Sequence, residues 1–352
     1  RVECCRHEVG NRGLRRRLRQ QFNSLRPAVD QGQLGQTTLP EQAQRFRPVR
    51  YSYVTVNSVP TKVVLVGTTD LGPDSGEPLF ILIPGNPGII EYYEDFLVEI
   101  YDQFEGRVHV CGLSHAGHDE VWTKCSAPSP KEHWHLYGLQ GQVKHKVEFV
   151  KNHVNSNRTV FLAGHSIGAY MVLQLLKELK GLNVKRSFML FPVFERLDEA
   201  PNAWTLVWNS YLLKLTTRLL VFLLLLIPNS FKAALVSWYC RSLPPAIRER
   251  SAKATRMVVT PVVFQLMTDM AHEELCVLKE RDNALIRTHL PRLTFYYGSD
   301  DGWCPIHFYW DMQAAFPNAD LTLCSLKLKH AFVLDRTAEI ASFIADKVKN
   351  SM

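Results

Sequence analysis

The chain has 352 residues, 46% hydrophobic and 21% charged, a globular composition with enough length for one substantial core. Its formal charge of +7 lies entirely in residues 1–50, which hold 11 Lys and Arg against 4 Asp and Glu; the rest is balanced, which argues against nucleic acid as the partner of the main body. The eight cysteines form no C-x-x-C pair and no zinc spacing, which favours free thiols in a reducing compartment over a disulfide framework.

Residues 1–50 form a basic extension rich in Arg, Gln and Gly, with "RGLRRRLRQQF" over Arg12–Phe22. Its weak periodicity predicts a disordered tail, and no apolar stretch follows a basic start as a signal peptide requires. Order is expected from Tyr51. "YSYVTV" and "TKVVLVG" are β-rich runs, separated by "NSVP", a turn composition. "EPLFILIPG" (Glu77–Gly85) and "RVHVCGLS" (Arg107–Ser114) read as strands buried on both faces. Leu139, Val143, Val147, Val150 and Val154 recur every three or four residues and predict an amphipathic helix. "TVFLAG" (Thr159–Gly164) is a strand, and "IGAYMVLQLLKELK" (Ile167–Lys180) is a helix that Gly181 ends. "RSFMLFPVF" (Arg186–Phe194) is the next strand. After a gap the pattern resumes with the strand "LTFYYG" (Leu293–Gly298), a helix around "FYWDMQAAF", the strand "LTLCSL" (Leu321–Leu326) and a final helix carrying Ile340, Ile344 and Val348. Strand and helix alternating on both sides of the gap predict one mainly parallel sheet with helices on both faces, built from residues 51–196 and 291–352. The interval 197–290 is too long for a plain loop and is expected to be a largely helical cap insertion.

The most specific chemistry is Gly164-His165-Ser166-Ile167-Gly168, a G-x-S-x-G sequence placed after a buried strand and opening a helix. A sharp turn there lifts Ser166 Oγ above the sheet, and the Ile167 amide points to the same spot. A serine hydroxyl needs a base and a group that orients the base. Chain order predicts the acid after a late strand, where Asp300 and Asp301 compete and Asp301 sits deeper in the turn. It predicts the base after the last strand, where His330 lies. His165 is next to the serine, but its side chain is expected to diverge. The second donor to a tetrahedral oxyanion is expected from "IPGNPG": Pro84 and Pro87 have no N–H, which leaves the Asn86 amide beside that of Ile167. His115 and His118 with Asp119 invite a metal reading, but no further ligand cluster joins them. They are expected to line the acyl pocket or to pack beneath the site. No cofactor and no metal are expected.

"IPGNPG", "SHAGH", "YGLQGQVKHK", "GHSIGAY", "LFPVFER", "LTFYYGSDDGWCP" and "HAFV" together resemble the lipid droplet-associated hydrolases, a group within the α/β-hydrolase superfamily. The resemblance runs from about Tyr51 to the C-terminus. It implies an α/β-hydrolase fold and a serine hydrolase of lipid esters, sterol esters foremost, on lipid droplets and the cytosolic face of the endoplasmic reticulum. The family's nucleophile, acid and base fall on Ser166, Asp301 and His330.

The run "TRLLVFLLLLIPNSF" (Thr217–Phe231) lies inside the insertion. Its clean apolar part, Leu219–Ile227, is shorter than the roughly 20 residues a spanning helix needs. Lys214, Arg218 and Lys232 flank it, and Trp204, Trp208 and Trp238 suit an interface. A helix or hairpin that enters one lipid leaflet and returns is expected, with Trp208, Leu219, Phe222, Leu225, Ile227 and Trp238 in contact with a droplet monolayer or membrane surface. A buried cap helix and a spanning helix are the competing readings. At the level of function, the competitors are a droplet-binding protein with a mainly non-catalytic role and a soluble carboxylesterase.

Overall fold

The structure is a computed structural model and describes residues 49–68, 71, 76–119, 127–203 and 210–349. Of the tail expected over residues 1–50, residues 1–48 lie outside the described residues, as do Trp204 and Trp208; Val49 and Arg50 already belong to the first strand.

The described residues open with a hairpin of β1 (Val49–Val56) and β2 (Val59–Val66). The four-residue turn expected over "NSVP" is only Asn57 and Ser58, with φ of 50° and 65°. Two consecutive positive φ values give the mirror-image turn whose twist matches that of the flanking strands, so Val59 and Pro60 are absorbed into β2. The sheet continues through β3 (Leu79–Ile83), β4 (His109–Leu113), β5 (Val160–His165), β6 (Val184–Leu190), β7 (Leu293–Gly298) and β8 (Asp320–Cys324). Its order is β1-β2-β4-β3-β5-β6-β7-β8. β2 is antiparallel to both neighbours, and the pairs from β4 to β8 are parallel. β6 stops at Leu190, short of the expected Phe194, because Phe191 turns to a φ of 46°.

Strand alternation divides the core in two. Leu79, Ile81 and Ile83 face α2 (Leu139–His153), α3 (Ile167–Glu178) and α9 (Ile306–Ala315). Phe80 and Leu82 face α1 (Glu94–Gln103) and α10 (Thr337–Lys349), which pack on each other. The sequence reading had no helix at α1. It has under three turns, and its apolar residues Phe96, Leu97 and Ile100 make a stripe too short to stand out.

Between β6 and β7 the chain forms α4 (Ser210–Leu226), α5 (Asn229–Tyr239), α6 (Pro245–Val258), α7 (Pro261–Val277) and α8 (Asn283–His289). α8 packs on α3, and its Leu285 and Ile286 join the main core, so this helix covers the sheet. α4 packs on α7 and α5 on α6. The base of this assembly is tied to the core by Arg250, which pairs with Glu94 (3.1 Å) and Asp95, and by a 2.8 Å hydrogen bond between the Tyr92 and Thr255 hydroxyls.

The apolar run is not a buried helix. Leu219 (56%), Phe222 (55%), Leu225 (66%) and, on α5, Trp238 (63%) are exposed, and Leu215, Leu226 and Phe231 are exposed beside them. Ile227 is half-buried at the break between the helices. No single described helix is long and apolar enough to cross a membrane. The segments Arg218–Leu226 and Asn229–Ser242 pass that test only as a pair, bent by 112°. Pro228, which has no N–H for a continuing helix, stands at the bend as the N-cap of α5.

Candidate active site

β5 ends in the elbow. Ser166 has φ 56° and ψ −126°, a strained conformation for a residue with a Cβ, and is held by Ser166 N–H to Leu190 O (3.0 Å) and Val193 N–H to Ser166 O (3.1 Å). The turn needs glycine on both sides. A Cβ on Gly164 would stand 2.3 Å from Gly168 O, and one on Gly168 would stand 2.3 Å from Ile83 O.

The three residues singled out by chain order meet at this turn. Ser166 Oγ lies 2.9 Å from His330 Nε2, and His330 Nδ1 lies 2.7 Å from Asp301 Oδ2. Asp301 is buried, and its other oxygen accepts from the amides of Trp303 (2.8 Å) and Cys304 (3.2 Å); Asp300 is exposed. Three donors hold the carboxylate, one of them the imidazole with its proton on Nδ1. Nε2 is then free to accept the serine proton. A hydroxyl, an imidazole and a buried carboxylate in this series can carry out nucleophilic attack on a carbonyl with general-base assistance.

The loop after β3 runs beside the serine: a Cβ on Gly85 would lie 3.0 Å from that of Ser166. Asn86 follows Gly85 and Ile167 follows Ser166 directly, and among the described residues no hydrogen bond is seen from either amide. The Asn86 side chain reaches α7, donating to Met267 O (2.9 Å) and Glu274 Oε1 (3.1 Å). Burial pushes the Glu274 carboxyl up to about 8; the Asn86 donor acts against this and the charge of Glu273 adds to it.

His115 and His118 pack beneath this loop. Gly88 N–H donates to His118 Nδ1 (3.0 Å), and His115 N–H donates to Gly88 O (2.8 Å). Both rings are fully buried. Burial, and then the neighbouring Lys146, lowers His118 to about 3 and His115 well below its usual value, so both are neutral supports. No group of three or more metal-ligating His, Cys, Asp or Glu side chains occurs among the described residues.

Sequence reasoning missed the residues that brace the site. Gln142 accepts from Ala116 N–H (2.8 Å) and donates to Ala116 O and Tyr137 O (3.0 Å each); Lys146 Nζ donates to Ser114 O (2.9 Å). The signal was available in "YGLQGQVKHK", where Gln142 and Lys146 are four apart on the valine side of α2. On α7, Glu273 accepts from Trp134 Nε1 (2.5 Å) and from the Leu139 amide (2.6 Å) at the start of α2, where a carboxylate suits the positive end of the helix. His165 diverges from the serine as expected, but its ring nitrogens are both engaged: Nδ1 with Tyr93 Oη (2.6 Å) and Nε2 with His330 O (2.9 Å).

The sheet order with its antiparallel second strand, the elbow after β5 and the helical insertion after β6 define an α/β hydrolase. Solved structures of that fold superpose over most of the chain. A 2-hydroxy-6-oxo-6-phenylhexa-2,4-dienoate hydrolase from Rhodococcus sp. covers 86% of it and 99% of its own length (TM-score 0.61, 14% identity). A carboxylesterase of Nitrososphaera gargenis covers 85% and 98% (TM-score 0.58, 16% identity). A family model described as lipid-droplet associated hydrolase matches residues 76–333, and the chain belongs to that family. The human lipid droplet-associated hydrolase is 34% identical over 320 residues, 87% of this chain and 96% of the relative. The Drosophila melanogaster relative of the same description is 30% identical over 304 residues, 85% and 97%.

Proposed function

We propose that this chain hydrolyses lipid carboxylic esters, with sterol esters the favoured class, through an acyl-serine intermediate at the surface of lipid droplets and the cytosolic face of the endoplasmic reticulum. The observation that carries the chemistry is the hydrogen-bonded series Ser166–His330–Asp301 at the elbow. Ser166 Oγ attacks the ester carbonyl carbon while its proton passes to His330 Nε2. The negative charge that develops on the carbonyl oxygen is met by the amides of Asn86 and Ile167. Collapse of the tetrahedral species breaks the bond to the alcohol, which takes the proton from His330. Water then attacks the acyl-serine, again giving its proton to His330, and the acid leaves as Ser166 recovers its hydrogen.

The lipid part of the reading rests on two supports. The relatives are described as lipid droplet-associated, and α4 and α5 expose large apolar side chains on a bent pair that cannot stand across a bilayer as one helix. A droplet has no second aqueous face, so an element that enters and returns is the geometry it accommodates. Among the described residues, Cys111, Cys240, Cys276, Cys304 and Cys324 are free thiols.

The test is a substrate panel of sterol ester, triacylglycerol and short acyl esters, presented on emulsion droplets and in solution. Hydrolysis led by sterol ester on droplets, with activity and fluorophosphonate labelling lost in Ser166→Ala, is the expected result. Wild-type labelling and turnover in Ser166→Ala would overturn the assignment. Equal turnover in solution and on droplets would overturn the surface part.

A further inference from the structure

The side chain that precedes the nucleophile is buried, polar and unused by the chemistry above. Its partners specify a single arrangement of hydrogens. The Gly85 amide donates to Tyr93 Oη at 2.9 Å. Tyr93 must therefore direct its own O–H at the other neighbour, His165 Nδ1, 2.6 Å away. With Nδ1 an acceptor, the ring proton sits on Nε2 and is donated to the backbone carbonyl of His330 at 2.9 Å. Tyr93 and His165 are 3% and 5% exposed, so water does not compete for these bonds.

We propose that Tyr93 and His165 are positioning residues for hydrolysis, locking the oxyanion loop to the loop that carries the base through one buried line of hydrogen bonds. This rests on the reading of Ser166, His330 and Asp301 as the catalytic series. One end of the line is Gly85, whose neighbour Asn86 supplies an oxyanion amide. The other end is the backbone of His330, whose ring must reach Ser166 Oγ. The two loops come from opposite ends of the chain, and no strand pairing registers one against the other, because the β3 and β8 they follow are separated in the sheet by β5, β6 and β7. The Asp301 carboxylate fixes the far edge of the His330 ring, and His165 fixes its backbone. Misplacement of either loop by about 1 Å costs on the order of 100-fold in rate, because attack and charge stabilisation must occur in the same geometry. The neutral state of the His165 ring fits this role: burial, reinforced by the nearby His330, holds its pKa well below the usual value. A charged ring would carry protons on both nitrogens and would meet the Tyr93 hydroxyl as donor against donor.

His165 also packs edge-on against Phe332 (5.2 Å between ring centres) and Phe191 (6.2 Å), so a purely space-filling role must be separated from the hydrogen-bonding one. The experiment uses the full chain with Tyr93→Phe, His165→Phe and His165→Gln. It reads kcat and KM on p-nitrophenyl butyrate, the rate of fluorophosphonate labelling, and thermal unfolding. Tyr93→Phe is expected to lower kcat about 10-fold and His165→Phe about 100-fold, with KM within about twofold of wild type. His165→Gln keeps a donor near the lost Nε2 and should recover part of the His165→Phe deficit. Wild-type kcat and labelling rates in Tyr93→Phe and His165→Phe would overturn the proposal, whatever happens to the unfolding temperature. So would a rise in KM at constant kcat. A wild-type protein that is not labelled would instead remove the catalytic reading beneath it, so the two failures are distinguishable.

Discussion

At the scale of the residue, the acid of the site was the one choice that chain order left open. Asp300 and Asp301 are adjacent, follow the same strand and have the same chemistry. Their environments separate them. Asp301 is buried with both oxygens occupied, two amides on one and His330 on the other, while Asp300 stands in solvent. Asp301→Asn is expected to lower kcat by about 10³–10⁴ because an amide offers His330 the wrong tautomer partner. Asp300→Asn is expected to stay within about twofold. Steady-state kinetics on a soluble ester check the pair, and the reverse ranking would transfer the role to Asp300. The pairing of Ser166 with His330 was legible because the proposed mechanism dictates their order along the chain, and order survives in a sequence. The braces were legible only in part. Gln142 and Lys146 show as polar residues on the valine side of α2, but what they meet, like the partners of Tyr93 and Glu274, comes from other elements.

At the scale of the element, apolar runs and three-to-four spacing gave the strands and most helices because each is a local pattern. The errors were local too. Turn geometry shortened "NSVP", Phe191 ended β6 early, and α1 was too short to show a period. The helices α4 and α5 present the opposite case: their apolar run was plain in the sequence, but which side chains would remain exposed depended on where α6 and α7 pack. α5 spends Val236 on α6 and leaves Phe231, Leu235 and Trp238 outside. Exposure makes the lipid reading testable without disturbing a core. Replacing Leu219, Phe222, Leu225 and Trp238 together by Ser is expected to leave soluble ester hydrolysis within about twofold, since no buried contact is lost. Each large apolar side chain contributes about 1.5–3 kcal/mol when taken from water, so binding to triolein–phosphatidylcholine emulsions should fall by at least about 100-fold. Flotation assays measure this, and unchanged flotation would show that α4 and α5 do not make the lipid contact.

At the scale of the molecule, the helical insertion and the core are joined beside the proposed catalytic series, and the join is ionisable. Glu273 and Glu274 are consecutive on α7 and reach different parts of the core: Glu273 the start of α2, Glu274 the Asn86 side chain in the oxyanion loop. Glu274 is the costly member. In the folded protein its carboxyl stays protonated up to about 8, against an ordinary value of 4.5. Below the ordinary value both the folded and the unfolded chain bind this proton, and the group is neutral toward stability. Between about 4.5 and 8 the unfolded chain has released the proton and the folded chain has not, so this residue lowers stability progressively as pH rises. Above about 8 both forms are ionised and the deficit is constant. Glu274→Gln cannot ionise, yet keeps an oxygen to accept from Asn86 Nδ2. The variant is therefore expected to unfold within a degree or so of wild type at pH 5 and several degrees above it at pH 8, the gap opening through neutral pH. Thermal unfolding followed across that range checks it. A gap that does not change with pH would mean that the Glu274 carboxyl ionises in the ordinary range, and that the cap holds the oxyanion loop through a charged contact.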